Sequence, residues 1–206
     1  MEKKIIAVIF GGESSEYEVS LKSASAVIEN LDTEKYEVIK IGITREGKWL
    51  SYKGSLDKIK ENIWFLDSNC NEILISPSKG ERKITELQNG KLVDTKIDIV
   101  FPVLHGKNGE DGTLQGLLEI SGIPYVGCNV YSSSLCLDKD YAHKIAKCSG
   151  FNVPTSLVVK EEIYETEIDE FIKNVQFPIY VKPSKEGSSI GMTKADSRDE
   201  LFLGIK

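Results

Sequence analysis

Lys182 and the small-residue run after it are the first place where chemistry can be read. Pro178 opens a short apolar alternation, Ile179-Tyr180-Val181, which predicts a strand that ends by delivering Lys182. Pro183 stops that strand, and Glu186-Gly187-Ser188-Ser189-Ile190-Gly191 reads as a loop. Its glycines allow a ligand to approach the backbone closely, and its amides and serine hydroxyls offer a ring of donors. A cation at a strand end, aimed across such a loop, suits a polyphosphate. A β-hairpin with a solvated lysine fits the same spacing. The run is neither a Gly-Lys-Ser/Thr loop before a helix nor a G-x-G-x-x-G turn.

Two upstream clusters have a related character. Gly11-Gly12 follows the apolar run Ile5–Phe10 and leads into Glu13-Ser14-Ser15-Glu16. The second cluster, His105 to Thr113, holds three glycines, one histidine and two acids in nine positions. Both have a buried strand before the loop and a helix after it, which puts amide donors at the carboxyl edge of a sheet, where ligands bind. The plain structural reading makes Glu16, Glu110 and Asp111 first-turn acids that favour a helix dipole, and His105 a core histidine satisfied by backbone.

The elements that must position these residues follow from periodicity. Ile5–Phe10, Tyr36–Thr44 and Ile97–Leu104 predict strands, the first and last continuous enough to be buried on both faces of a parallel sheet. Leu21, Ala24, Ile28 and Leu31 form a helical stripe, with Ser15 and Glu18 at capping-box spacing. Leu114, Leu117, Leu118 and Ser121 form another, ended by Gly122 and Pro124. Tyr125-Val126-Gly127 predicts a short last strand, and the small polar stretch from Asn129 to Ser134 a domain boundary. Asp138 is expected to cap a helix over Lys139–Ser149, Pro154–Val159 and Phe177–Lys182 to be strands, and Ile168, Phe171, Ile172 and Val175 to line a helix. Residues 51–96 show only short strand candidates and the hairpin pair Asn89-Gly90, and no chemistry is assigned to them.

Composition excludes several classes. The 206 residues are 40% hydrophobic and 28% charged, ordinary globular values, with a net charge of −6 and no basic surface suited to nucleic acid. Cys70, Cys128, Cys136 and Cys148 form no C-x-x-C pair and only two histidines are present, which argues against zinc. The N-terminal apolar run is short and lacks a cleavage pattern, and no run reaches membrane-spanning length. A reduced, cytoplasmic protein is expected.

Taken together, Phe10-Gly-Gly-x-Ser-x-Glu-Tyr-Glu-Val-Ser-Leu21, His105-Gly-x-x-Gly-Glu-Asp-Gly-Thr-x-Gln-Gly116, Asp138-Lys139 and Val181-Lys-Pro-x-x-Glu-Gly-Ser-Ser-Ile-Gly191 resemble the D-alanine–D-alanine ligases of the ATP-grasp group. The resemblance implies a Rossmann-like, pre-ATP-grasp parallel-sheet domain over 1–130 that binds substrate, then an incomplete central ATP-grasp α+β domain over 131–206. It implies an ATP- and Mg²⁺-dependent ligase that makes a D-alanyl-D-alanine precursor of peptidoglycan through an acyl phosphate. Lys139 and Lys182 would contact the ATP phosphates, beneath a loop formed by Glu186, Gly187, Ser188 and Ser189. Glu16 would hold the first substrate's ammonium, His105 would lie near its carboxylate, and Gly11, Gly12 and Val19 would shape the pocket. By the same resemblance Glu16, Ser188 and His105 form the catalytic set, with Ser188 helping to tie the loop shut. The family often forms homodimers through its first domain.

Two departures from the family pattern stand out. Tyr17, beside Glu16, replaces the His or Arg of many members, and with Ile41-Gly-Ile-Thr44 it is closer to the D-alanine–D-serine branch found in glycopeptide resistance. A C-terminal domain, which in the family carries the metal-binding acids, has no counterpart in the 206 residues, so no metal ligand is assigned and the chain alone is expected to be inactive. The competing readings are a non-catalytic nucleotide- or amino-acid-binding fragment and another ATP-grasp carboxylate–amine ligase.

Overall fold

The computed structural model of the chain describes residues 2–160 and 165–205. β1 (Lys4–Gly11) passes through the glycine turn into α1 (Tyr17–Asn30), followed by β2 (Tyr36–Ile43) and β3 (Trp49–Tyr52). A short helix, α2 (Leu56–Lys60), and a 3-10 turn at Trp64–Leu66 precede β4 (Cys70–Ile75), β5 (Lys83–Gln88) and β6 (Lys91–Lys96). β7 (Ile99–Pro102) is followed by α3 (Thr113–Ser121), α4 (Val130–Leu137), α5 (Lys139–Cys148) and α6 (Glu165–Ile172). A hairpin of β8 (Ile179–Val181) and β9 (Thr193–Ala195), then α7 (Arg198–Ile205), completes the described chain. Two compact units result, Met1–Ser134 and Leu135–Lys206, and the division falls inside α4.

The first unit is built on a seven-stranded sheet of order β6-β5-β4-β3-β2-β1-β7. β1 pairs in parallel with β2 on one side and β7 on the other, while β2 to β6 continue antiparallel. The expected parallel sheet is therefore its β2-β1-β7 core. The short strand candidates at Ile73-Leu74-Ile75 and Lys91-Leu92-Val93 lie in β4 and β6, which with β5 extend that sheet and turn at Asn89-Gly90. Successive β1 side chains face opposite sides, as the period of two requires. Ala7 and Ile9 join Ile41, Val100, Leu114 and Leu118 in one core, and Val8 and Phe10 join Tyr17, Leu21, Tyr52 and Trp64 in the other. Each such fully buried side chain contributes about 1.5–3 kcal/mol, so β1 is held from both faces.

Several local expectations are corrected. The Ser15–Glu18 capping box does not form: the N-cap of α1 is Glu16, no side chain caps it, and Glu18 instead pairs with Arg45. The third predicted strand contracts to Ile99–Pro102 because only Ile99 to Pro102 pair with β1. Tyr125 makes one isolated parallel bridge to Val100 rather than a strand. The small polar boundary stretch is mostly helix, α4, since serine tolerates a helix when its hydroxyl bonds back to a carbonyl, as Ser134 does to Val130. Pro154–Val159 is not a strand: the small sheet consists of β8 and β9 alone among the described residues.

The second unit has a small core. Ile168, Ala195 and Leu201 are its buried cluster, with Phe177, Ile179, Val181 and Phe202 partly buried around them, so α6 and α7 cover the β8–β9 hairpin. α5 buries none of its residues.

Candidate functional site

In the first unit the glycine loops leave neighbouring strand ends. β1 and β7 are adjacent and parallel, α1 packs in the core on one face of the sheet and α3 in the core on the other, and so the connections diverge between these strands. That divergence opens a crevice at the carboxyl ends of β1 and β7.

The strand ends are tied there by one hydroxyl. Ser20, fully buried on α1, accepts a hydrogen bond from the Gly11 amide at 2.8 Å and donates to the Val103 carbonyl. The Gly12 amide donates to the Ile43 carbonyl at 2.9 Å. Gly11 sits at φ +88°, and a Cβ there would overlap the Ile43 carbonyl oxygen, so only glycine satisfies both conformation and space. Sequence reasoning missed Ser20. The available sign was a serine on the same helical face as Leu21 and Ala24.

Glu16 is buried, at 7% exposure, and its amide donates to the Ser14 hydroxyl at 3.1 Å. A Cβ placed on Gly106 would lie 3.4 Å from Glu16 Oε2 and 2.8 Å from Ser14 Oγ. The second loop therefore approaches the Glu16 carboxylate through a residue with no side chain. Val19, farther along α1, is half exposed.

The His105 loop is held from within. Glu110 Oε2 accepts from the Gly106 amide at 2.9 Å, and Glu110 Oε1 lies 3.8 Å from His105 Nδ1. His105 Nε2 is buried and makes no hydrogen bond among the described residues. Asp111 accepts from the amides of Asn108 and Thr113, each at 2.9 Å. Burial works to raise the Asp111 pKa, but hydrogen bonds from Thr113 and Asn108 outweigh it and hold the carboxyl below its ordinary value. Gln115 Nε2 donates to the Gly109 carbonyl at 2.8 Å from the first turn of α3. A cleft of about 220 Å³ beside the loops is lined by Gly12, Glu13, Leu104, Asn108 and Thr113. A larger cavity of about 390 Å³ lies over β3 and β4 and includes none of the sequence-predicted residues.

Tyr17 points into the core rather than toward Glu16. It is 1% exposed, its hydroxyl accepts from Trp64 Nε1 at 3.1 Å, and the Arg45 guanidinium stacks on its ring at 4.4 Å. Burial raises the phenol's pKa above its ordinary value, so Tyr17 stays neutral.

In the second unit the loop between β8 and β9 contains Lys182, Glu186, Gly187, Ser188 and Ser189, and it is the connection of a β-hairpin. Two turns shape it, with the Ile190 amide donating to the Gly187 carbonyl at 3.0 Å and the Met192 amide to the Ser189 carbonyl at 3.2 Å. Ser188 and Ser189 both have positive φ, 48° and 60°, sparsely populated for serine. Lys139 joins this loop: its amide donates to the Ser184 carbonyl at 3.0 Å and its ammonium to the Glu186 carbonyl. Lys182 is exposed, and its ammonium lies 5.9 Å from the Tyr180 ring centroid. Lys139 and Glu186 are thus brought together. Among the described residues no three His, Cys, Asp or Glu side chains converge as a metal site would require.

The first unit thus has strand-end glycine loops around a buried acid and the second a glycine-serine loop tethered by a lysine, which together define an α/β protein of two units. Residues 5–128 match the family model of the D-ala D-ala ligase N-terminus, and residues 145–206 that of the D-ala D-ala ligase C-terminus. The chain belongs to the D-alanine–D-alanine ligase family. It is 45% identical over 209 residues to a D-alanine–D-alanine ligase of Caldicellulosiruptor bescii, covering 100% of this chain and 57% of that protein. The crystal structure of the VanG D-Ala:D-Ser ligase from Enterococcus faecalis superimposes with a TM-score of 0.88 at 49% identity, covering 99% of this chain and 59% of that one. A Bacillus anthracis D-alanine–D-alanine ligase complexed with ATP gives a TM-score of 0.63 at 31% identity, over 98% of this chain and 52% of its own. The chain thus spans little more than half the length of these relatives.

Proposed function

We propose that this chain provides the substrate-binding domain and part of the nucleotide-binding domain of an ATP-dependent ligase that joins two D-amino acids into a peptidoglycan precursor. The observation that carries the reading is the buried Glu16 carboxylate set against Gly106, where the two strand-end loops meet. A carboxylate at this point places an acceptor and an acidic group at the meeting of the two loops, and an amino acid's ammonium complements it while bringing a carboxylate of its own. His105, on the loop that reaches Glu16, is the residue we assign to that carboxylate, with Gly11, Gly12 and Val19 bounding the pocket.

The second unit we assign to ATP. Lys139, Lys182 and the amides of Glu186 to Ser189 offset phosphate charge, as a reaction between a carboxylate and a polyphosphate requires. ATP supplies the phosphoryl group that turns the first carboxylate into an acyl phosphate. The second amino acid's amine then forms the C–N bond as the C–O bond breaks and phosphate leaves. Mg²⁺ belongs to the same proposal, held by groups other than the described residues of this chain. We place the enzyme in the cytoplasm and propose a homodimer formed through the first unit. No described helix is long and apolar enough to cross a membrane.

A second reading, D-serine as the second substrate, is favoured by the 49% identity to the VanG D-Ala:D-Ser ligase. Tyr17 does not argue for it through direct contact, since its side chain is buried in the core.

The test is titration calorimetry on the complete ligase. Glu16→Gln is expected to lose D-alanine affinity by about 10- to 100-fold with ATP affinity intact, and Lys182→Ala the reverse, the scale of one charge-assisted contact. Equal loss of both ligands in either variant would overturn the assignment. Comparing D-alanine with D-serine in a phosphate-release assay decides the second substrate. The 206-residue chain alone is expected to release no phosphate in that assay.

A further inference from the structure

We propose that Asp138 is a positioning residue that welds the start of α5, with Lys139 on it, to the root of the Glu186–Gly191 loop through Ser184. The inference rests on the assignment of that loop and Lys139 to nucleotide binding. Asp138 is 8% exposed, and its Oδ1 accepts three hydrogen bonds. The Asp140 and Tyr141 amides donate at 3.1 and 3.4 Å, an ordinary helix cap. The third comes from the Ser184 hydroxyl at 2.9 Å, from 46 residues away, and has no part in capping. Lys185 Nζ lies 3.8 Å from the other oxygen, Oδ2.

A second set of bonds runs parallel to the first. The Lys139 amide donates to the Ser184 carbonyl at 3.0 Å, and its ammonium reaches the same carbonyl at 3.5 Å and the Glu186 carbonyl. Ser184 is therefore gripped at both its hydroxyl and its carbonyl by adjacent residues of one helix start. An ammonium has three donors, and two carbonyls engage it among the described residues, which leaves one for a phosphate oxygen. Lys139 can then bridge loop and phosphate at once. The loop becomes, as far as Glu186, an extension of a capped helix end. Fixing the root lowers the ordering cost of closing the loop over a ligand.

If Asp138 is only a helix cap, Ser184 is dispensable, and this decides the test. The loop contains one tryptic site for the purpose, the exposed Lys185, since the bond after Lys182 is blocked by Pro183. Ser184→Ala leaves the cap untouched and is expected to speed cleavage after Lys185 about tenfold, with far-UV dichroism unchanged; Ser184→Thr, which restores the hydroxyl, is expected to return to the wild-type rate. In the complete ligase the same Ser184→Ala change is expected to raise KM for ATP about tenfold with little change in kcat. Cleavage of Ser184→Ala at the wild-type rate, or a rate not rescued by threonine, would overturn the weld. The arm with ATP added reports separately on the nucleotide assignment. If ATP fails to protect Lys185 in wild-type complete ligase, that assignment falls, whereas the cleavage comparison without ATP still decides whether the weld exists.

Discussion

The two loop regions of this protein solve the same problem, holding charged groups ready for a ligand, by opposite means. The Gly11 and His105 loops grow from the ends of strands buried on both faces, and their fixed points lie in the core: Ser20 between Gly11 and Val103, and Glu16 against Gly106. The Glu186–Gly191 loop springs from a hairpin whose core has three buried residues, and it is held at its root by the Lys139 ammonium on the Glu186 carbonyl and the Ser184 hydroxyl on the Asp138 carboxylate. Each region also depends on one aspartate, but Asp111 bonds amides of its own loop while Asp138 joins distant segments. The difference teaches that a loop on strands buried from both faces is fixed by the core, whereas a loop on a small hairpin is fixed by polar bonds at its root.

The comparison can be broken most sharply at Gly11. Gly11→Ala combines a left-handed conformation with overlap on a backbone carbonyl, and is expected to destabilise the first unit by about 3–5 kcal/mol. Urea unfolding followed by tryptophan fluorescence reads this unit alone, because Trp49 and Trp64 both lie in it. A loss below about 1 kcal/mol would mean that the strand ends are not rigid. Ser20→Ala comes next, at about 2–3 kcal/mol, since it leaves a buried amide and a buried carbonyl without their shared partner. The same unfolding curve checks it.

Gly191→Ala should behave differently. Its φ is +68°, and a Cβ would meet only the Pro183 ring, at 2.9 Å, so the cost is expected to be about 1–2 kcal/mol and confined to the second unit. The tryptophan transition should not move, while tryptic cleavage after Lys185 should quicken. A shifted tryptophan transition would contradict the separation drawn between the regions.

The smallest expected effect is with acid. Burial opposes ionisation at both Asp111 and Asp138, yet hydrogen bonds from Thr113 and Asn108 at the first, and from Ser184, Tyr141 and Asp140 at the second, depress both pKa values. A depressed carboxyl stabilises the fold above its unfolded pKa of about 4, and that contribution is lost as pH falls through the folded value. Asp111→Asn should therefore flatten the acid limb of the tryptophan-monitored stability curve. An acid limb identical to wild type would remove Asp111 from the list of fixed points.

Sequence alone determined the elements whose patterns are local and strong. The Ile5–Phe10 run, the stripe from Leu21 to Leu31, the Asp138 cap and the two glycine loops each carry their own period or conformational demand, and each stands where expected. The two glycine loops were legible as candidate sites because glycines, acids and a histidine cluster there after buried strands, whereas the roles proposed for those residues come from the family resemblance. Tertiary structure alone decided pairing and partnership. Whether Pro154–Val159 forms a strand depends on a neighbour to bond with, and whether Glu18 closes a capping box depends on Arg45, 27 residues away. Ser20 and Ser184 read in sequence as ordinary serines, since a hydroxyl has no period, and what gives each its role is the carbonyl, amide or carboxylate that the fold brings to it from 9 to 83 residues along the chain.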